Sequence, residues 1–319
     1  MELTKAQILK WLEVEENEFQ VEAFRRKHDI DPGSSTLFMT LSRLVEEGSL
    51  KRKGRGWYCK IESVKPIFWW TIKHEEPLPV KFPRGIEDDS NFGFDGSIEV
   101  FSGDTIVLAG TSNMGKTCFA LNFLVDNIDL CKGTRLMVNE YKPVRFKNRM
   151  AKFTWGNIWN DDKPKFELIP VIKNHEDYIK PDYLNIIDWI LLRGEFWVIA
   201  GIIEDMQMKL REGLLLVVLQ KTKGKEFGMG GEWGQLLPAA YFNIDPPGKL
   251  TVMKVKSQKL GTRNLEGKVF AFDIEGGGSK FEGIREVKNC PKCKGLYGNK
   301  WCVTCKGKGY IEILDTQDN

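Results

Sequence analysis

The stretch TIVLAGTSNMGKT, residues 105–117, constrains this chain more than any other. A β-branched and apolar run ends at Gly110, and Gly115-Lys116-Thr117 comes five residues later, in the pattern G-x-x-x-x-G-K-[ST]. An amphipathic helical pattern follows, with Phe119, Ala120, Phe123 and Leu124 on its apolar face. A strand, a loop and a helix start would wrap Gly110, Thr111, Ser112, Asn113, Met114, Gly115, Lys116, Thr117 and Cys118 around a polyphosphate. Backbone N–H groups and the helix N-terminus offer fixed positive dipoles there. Lys116 would reach the β- and γ-phosphates as a point charge, and the Thr117 hydroxyl would hold Mg²⁺. The plainer alternative is a Gly-rich turn entering a core helix. All four fixed positions and both flanks favour a nucleoside triphosphate, with ATP as the expected ligand.

At 319 residues the chain is long for one domain, and its hydrophobic content of 42% suffices for a real core. A formal charge of +3 is nearly neutral, so affinity for nucleic acid has to come from local patches. No apolar run approaches the ~18 residues of a membrane span. The acidic start MELTKAQILKWLEVEENE lacks the basic-then-apolar pattern of a signal peptide, so a cytoplasmic location is expected. Four of the seven cysteines crowd into the last 30 residues, which favours a metal over disulfides.

Residues 1–61 read as three helices closed by a hairpin, the pattern of a winged helix. Thr4-x-x-Gln7 is a capping box, a second helical pattern covers about Phe19 to His28, and a third carries Leu37, Leu41, Leu44 and Val45 inward. The third helix would offer Thr36, Thr40 and Arg43 to a major groove, and Lys51, Arg52, Lys53 and Arg55 on the wing would meet phosphates. A winged helix used for protein contacts is the competing reading. Residues 62–97, with four prolines and the aromatic cluster Phe68-Trp69-Trp70, read as a linker that docks elsewhere.

Beyond the phosphate loop, strand patterns end at Glu140, Asp188 and Gln220, and helical patterns alternate with them, so a mostly parallel α/β sheet is expected over 98–278. Asp188 would approach Mg²⁺ through a water; a helix-capping Asp is its bland alternative. Glu140 would orient or deprotonate the attacking water, and Gln220 would sense the γ-phosphate. Either could instead be an ordinary strand-end polar residue.

The order of these motifs, with Arg149-Met150 nine residues after Glu140 and a terminal Lys254-x-Lys256 strand, resembles the RecA-like ATPases. It is most similar to the ATPase domain of DnaB-type replicative helicases and their phage-borne relatives, over about residues 84–275. The resemblance implies that Glu140 is the catalytic base and that a Lys-x-Arg pair reaches a neighbouring subunit's γ-phosphate. Here that pair is Lys254 and Lys256, and lysine lacks the bidentate fork of arginine. Lys221 and Lys223 are the other candidates for the trans-acting cation. The loop after Gln220 would face a central channel, where Lys223, Lys225 and Phe227 grip single-stranded DNA. A flexible loop closing the nucleotide site is the alternative, and both can hold.

Residues 279–319 contain Cys290, Cys293, Cys302 and Cys305 as C-x₂-C-x₈-C-x₂-C, a spacing that can bring four thiolates to one Zn²⁺, with a redox pair as the rival reading. The glycines after each pair resemble one half of the J-protein cysteine-rich module. Residues 288–310 hold six lysines and no acidic residue, which suits either nucleic acid or a purely structural or docking knuckle. The combined expectation is a DNA-dependent ATP hydrolase of the replicative helicase class, a homohexameric ring that meets other replication or recombination proteins. A filament-forming recombination or loader ATPase and an ATP-switched DNA-binding regulator are the alternatives.

Overall fold

The computed structural model describes residues 4–61, 66–140, 142–190, 196–222, 224–295, 297–298 and 301–313. The chain forms two compact units, Met1–His74 and Glu75–Asn319.

In the first unit, helix α1 (Lys5–Val14) opens with the capping box: the Thr4 hydroxyl accepts the Gln7 N–H at 3.3 Å, and the Gln7 side chain accepts the Thr4 N–H at 2.9 Å. Strand β1 (Glu18–Gln20), α2 (Val21–Lys27), α3 (Ser35–Glu46), β2 (Leu50–Gly54) and β3 (Trp57–Lys60) follow. The strands form an antiparallel sheet in the order β1-β3-β2. Three helices and a closing hairpin are present, and β1, between the first two helices, adds a third strand to that hairpin. The second helix begins at Val21 rather than Phe19, because Glu18-Phe19-Gln20 alternates exposed, buried, exposed and pairs with β3.

One groove-contact expectation fails. Thr40 is only 6% exposed, since it falls three residues after Leu37 and four before Leu44, on the stripe that faces the core. The outer face of α3 shows Phe38, Met39 and Arg43 instead, with Thr36 half-buried. On the wing, Lys51, Arg52, Lys53 and Arg55 are all exposed. Lys53 meets Glu18 at 2.7 Å.

The second unit is built on strands β4 (Thr105–Gly110), β5 (Thr134–Val138), β8 (Phe166–Pro170), β9 (Leu184–Ile190), β10 (Leu214–Gln220), β11 (Ala240–Asp245), β12 (Lys249–Val255), β13 (Val269–Glu275), β14 (Lys280–Asn289) and β15 (Tyr310–Glu312). A separate two-residue pair, β6 (Trp159–Asn160) and β7 (Lys163–Pro164), precedes β8. The ten-stranded sheet runs β15-β14-β13-β12-β11-β4-β10-β9-β5-β8. From β8 to β11 neighbours are parallel, and from β11 to β15 they are antiparallel. The change has a local cause. Helices α4 (Lys116–Asp126), α5 (Pro143–Met150) and α6 (Ile199–Gln207) supply crossovers among the parallel strands, whereas Pro246-Pro247-Gly248 and Gly276-Gly277-Gly278 are turns too short for one.

Apolar side chains cover both faces. Ile106, Leu108, Leu216 and Val218 point into the cluster around Phe119, Phe123 and Phe242, while Val107, Ala109, Val217 and Leu219 point into the one around Ile199, Ile203 and Tyr241. That two-sided burial explains why β4 and β10 read as unbroken apolar runs.

Two boundaries differ from expectation. Val80, Phe82, Phe92 and Phe94 lie in the core of this unit, and the Lys81 N–H bonds the Asn127 side chain at 2.8 Å, so the supposed linker is core from the first of these residues onward. At the other end, β14 pairs with β13 beyond the three glycines, so residues 280–289 are sheet. The four cysteines lie between β14 and β15.

Candidate nucleotide and metal sites

The loop between β4 and α4 leaves the sheet beside β10 and β11, with Gly110 in register with Gln220 and Ile244. A side chain at Gly110 would stand 2.7 Å from the Ile244 carbonyl oxygen. At Gly115, where φ is +97°, it would meet Ile274 Cδ1 at 2.3 Å. Glycine is therefore required at both positions, by close approach at the first and by backbone conformation as well at the second. Lys116 Nζ donates to the Thr111 carbonyl at 2.8 Å, and burial pushes its pKa down against the pull of Asp188 and Glu140.

The Thr117 hydroxyl donates to Asp188 Oδ1 at 3.3 Å. Asp188 is 3% exposed; burial pushes its carboxyl up to about 6, opposed by the Thr117 hydrogen bond and by Arg149 and Lys116. Asp188 lies within β9, which continues to Ile190. Glu140 follows the end of β5 and is exposed on the same cleft, a cavity of about 840 Å³. Gln220 Nε2 donates to Ser112 Oγ at 2.8 Å, tying the end of β10 to the loop. Asn113 takes φ 60° and lines the cleft, and Met114 packs on the core. Cys118 is buried, its thiol pushed up to about 12 by desolvation, so it is inert.

The cleft also contains cations to which the sequence assigned no role, although Arg149 appears in its motif order. Arg145, Arg149 and Lys152 line it together with Asn148. They recur at i, i+4 and i+7 along and just past α5, a spacing that puts them on one helical face and could have revealed them.

The candidates for a trans-acting cation are placed differently. Lys254 donates to the carbonyls of Gln235 and Leu236, the latter at 2.9 Å, and Lys256 to that of Leu237. Both lie at the end of the sheet away from the phosphate loop, where Val255 pairs with Ala240. Lys221 is 4% exposed and forms an ion pair with Asp245 Oδ2 at 2.6 Å, so its charge is spent inside its own chain. Lys223 lies outside the described residues. In the loop that follows, Lys225 is exposed and Phe227 is half-buried on a cleft of about 520 Å³ shared with Trp197 and Trp233. The loop folds back on the sheet: the Gly228 N–H bonds the Tyr241 hydroxyl at 3.0 Å, and the Met229 N–H bonds the Gln220 carbonyl at 2.8 Å.

Both implied ions find suitable donors. Thr117 and Asp188 present oxygen atoms beside the phosphate loop, as Mg²⁺ requires. The sulfur atoms of Cys290, Cys293, Cys302 and Cys305 all lie within 4.8 Å of one another, with Cys290–Cys302 at 3.6 Å and Cys293–Cys305 at 3.5 Å. Tetrahedral Zn–S bonds of ~2.3 Å imply S···S separations of about 3.8 Å, so a closed four-thiolate zinc site fits. Hydrogen bonding from the Cys305 and Thr304 backbone lowers Cys302 to about 6, whereas burial and the neighbouring thiols push Cys293 up to about 12. Lys249, itself buried, ties this module to the sheet by bonding the Asn289 side chain at 3.1 Å and the Gly295 carbonyl at 3.4 Å.

No family model matches the chain, and no curated protein does. Among solved structures it is similar to a KaiC-like protein of the hyperthermophilic archaeon Pyrococcus horikoshii OT3, at 18% identity and a TM-score of 0.46, over 65% of this chain and 100% of that one. Fold and cleft together define an α/β protein with a mostly parallel sheet and a glycine-rich loop between β4 and α4 at the mouth of the cleft. Among the described residues, no helix is long and apolar enough to cross a membrane.

Proposed function

We propose that the Glu75–Asn319 unit hydrolyses ATP and that nucleic acid drives its turnover, as in RecA- and DnaB-type motors. The observation that carries the reading is the convergence on one cleft of Lys116, the Thr117–Asp188 pair and Glu140. Lys116 would leave the Thr111 carbonyl for the β- and γ-phosphates. Thr117 and Asp188 would hold Mg²⁺, which neutralises phosphate charge when bound. Glu140 would take the proton of the attacking water. Arg145, Arg149 and Lys152 would meet charge developing on the γ-phosphate from within the same chain. Gln220, bonded to Ser112, would report the γ-phosphate to the loop carrying Lys225 and Phe227, where single-stranded DNA binds.

Assembly into a hexameric ring belongs to this proposal. Of the described candidates, Lys254 and Lys256 suit a role across a subunit boundary better than Lys221, because they give up only carbonyl contacts and not a buried ion pair. Steady-state ATP turnover tests the core of the reading. Lys116→Ala is expected to lower it by about two orders of magnitude or more, through loss of transition-state charge stabilisation. Turnover unchanged in that variant would show that hydrolysis occurs elsewhere or belongs to a contaminant.

A further inference from the structure

Lysines near the sheet commonly sit on carboxylates: Lys132 meets Asp182 at 3.0 Å, and Lys268 meets Glu286 at 2.9 Å. The cysteine module is different. Lys288, Lys292, Lys294, Lys306 and Lys308 are all exposed, and none has a carboxylate partner among the described residues. The sequence from 288 to 310 supplies none either, having six lysines and no aspartate or glutamate.

Aromatic side chains stand out beside them. Trp301 is 93% exposed and Tyr297 is 48% exposed. An indole so exposed contributes almost nothing to burial, so the fold does not explain its presence. Between the module and the sheet runs a groove of about 390 Å³ with Tyr297, Tyr310, Arg285, Lys306 and Lys308 on its walls and Asp273 as its single carboxylate.

We propose that the module is a grip for single-stranded nucleic acid, separate from the loop after Gln220. Trp301 and Tyr297 stack on unpaired bases, and Lys306 and Lys308 hold the phosphates beside them. Bare rings favour a single strand over a duplex, whose bases are already stacked on one another. Unpaired lysines interleaved with rings favour nucleic acid over an acidic protein, which would neutralise the charge but leave the rings idle. The zinc site keeps this face rigid, since the four cysteines form most of the module's interior.

The test is anisotropy of a labelled oligothymidylate with the full-length, zinc-loaded protein, in the wild type and in a Lys225→Glu background that weakens the other loop. Zinc content measured on each variant confirms that the module is folded. Trp301→Ala is expected to weaken binding about tenfold or more in both backgrounds. Lys306→Glu with Lys308→Glu should weaken it further and make the logarithmic salt slope shallower by about 0.7 per lost phosphate contact. Affinity unchanged in the module variants, with loss only in Lys225→Glu, overturns this proposal and leaves the ATPase reading intact. Loss on charge reversal without loss in Trp301→Ala also overturns it, because the surface would then be a patch for any polyanion, acidic proteins included.

Discussion

The phosphate-loop cleft and the cysteine module both present charged side chains, but different forces hold them in place. The cleft stands at the ends of β4, β9 and β10, strands whose side chains are buried on both faces. Its loop is shaped by backbone contacts to Ile244 and by glycines at which a side chain would collide. The interior of the module consists of four sulfur atoms with Ile311 packed against them. One site is therefore preorganised by hydrophobic burial and should keep its geometry without ligand, whereas the other, if it holds the proposed zinc, should depend on that ion. The contrast teaches that metal loading and nucleotide binding should be separable properties of one unit.

Chelation should produce the largest effect on this contrast. One zinc ion per chain should be released, after which protease is expected to cut beyond Asn289 while the sheet survives. Sheet and module lost together would show that the module is part of the core; absence of metal from the purified protein would remove the zinc assignment. Glu140→Gln comes next, with turnover expected to fall by about 10²- to 10⁴-fold while bound nucleotide is retained, read by single-turnover kinetics and filter binding. Wild-type turnover in that variant would assign the base to another residue.

Asp188 gives the cleft a pH signature. Burial raises its carboxyl from 3.8 to about 6, so the folded protein keeps this proton over a window in which the unfolded chain has lost it. In the nucleotide-free protein this stabilising contribution is complete below pH 3.8 and is lost as pH rises through about 6. In the proposed chemistry the sign is opposite, because a carboxylate holding Mg²⁺ must be charged. Turnover should fall with falling pH, with its midpoint below the value of the ion-free site because the cation stabilises the charged form. Asp188→Asn should flatten the stability trend between these limits, measured by thermal melting; an unchanged profile would locate the proton elsewhere.

The smallest expected effect is at Lys249, which joins the two regions. Lys249→Met leaves the Asn289 side chain and the Gly295 carbonyl without this donor, at a cost of about 1–3 kcal/mol. Zinc should stay bound, while hydrogen exchange in the module should rise. No change in exchange would mean that the link carries no stability.

What was legible in the sequence follows the same division. The phosphate loop and the cysteine pairs are contiguous motifs, so their chemistry is written in local spacing. The end of β10 at Gln220 was readable, because a strand buried on both faces is an unbroken apolar run. Three features depend on distant partners and were not visible. Phe82, Phe92 and Phe94 are scattered among prolines and glycines, and only the cluster with Phe242 and Phe270 makes them core. Lys221 looks like a free cation until Asp245, 24 residues away, is folded against it. β14 follows three glycines that read as an ending but form a turn. Arg145, Arg149 and Lys152 were within reach of the sequence, because their helical spacing was there to be counted.

The central claim, that nucleic acid gripped by this unit drives ATP consumption at Lys116, is tested most directly by measuring turnover with and without single-stranded oligonucleotide at saturating ATP. The account predicts severalfold stimulation in the wild type and none in Lys116→Ala. Equal rates across all lengths and sequences of DNA and RNA would contradict it and leave a nucleotide-binding switch in place of a motor.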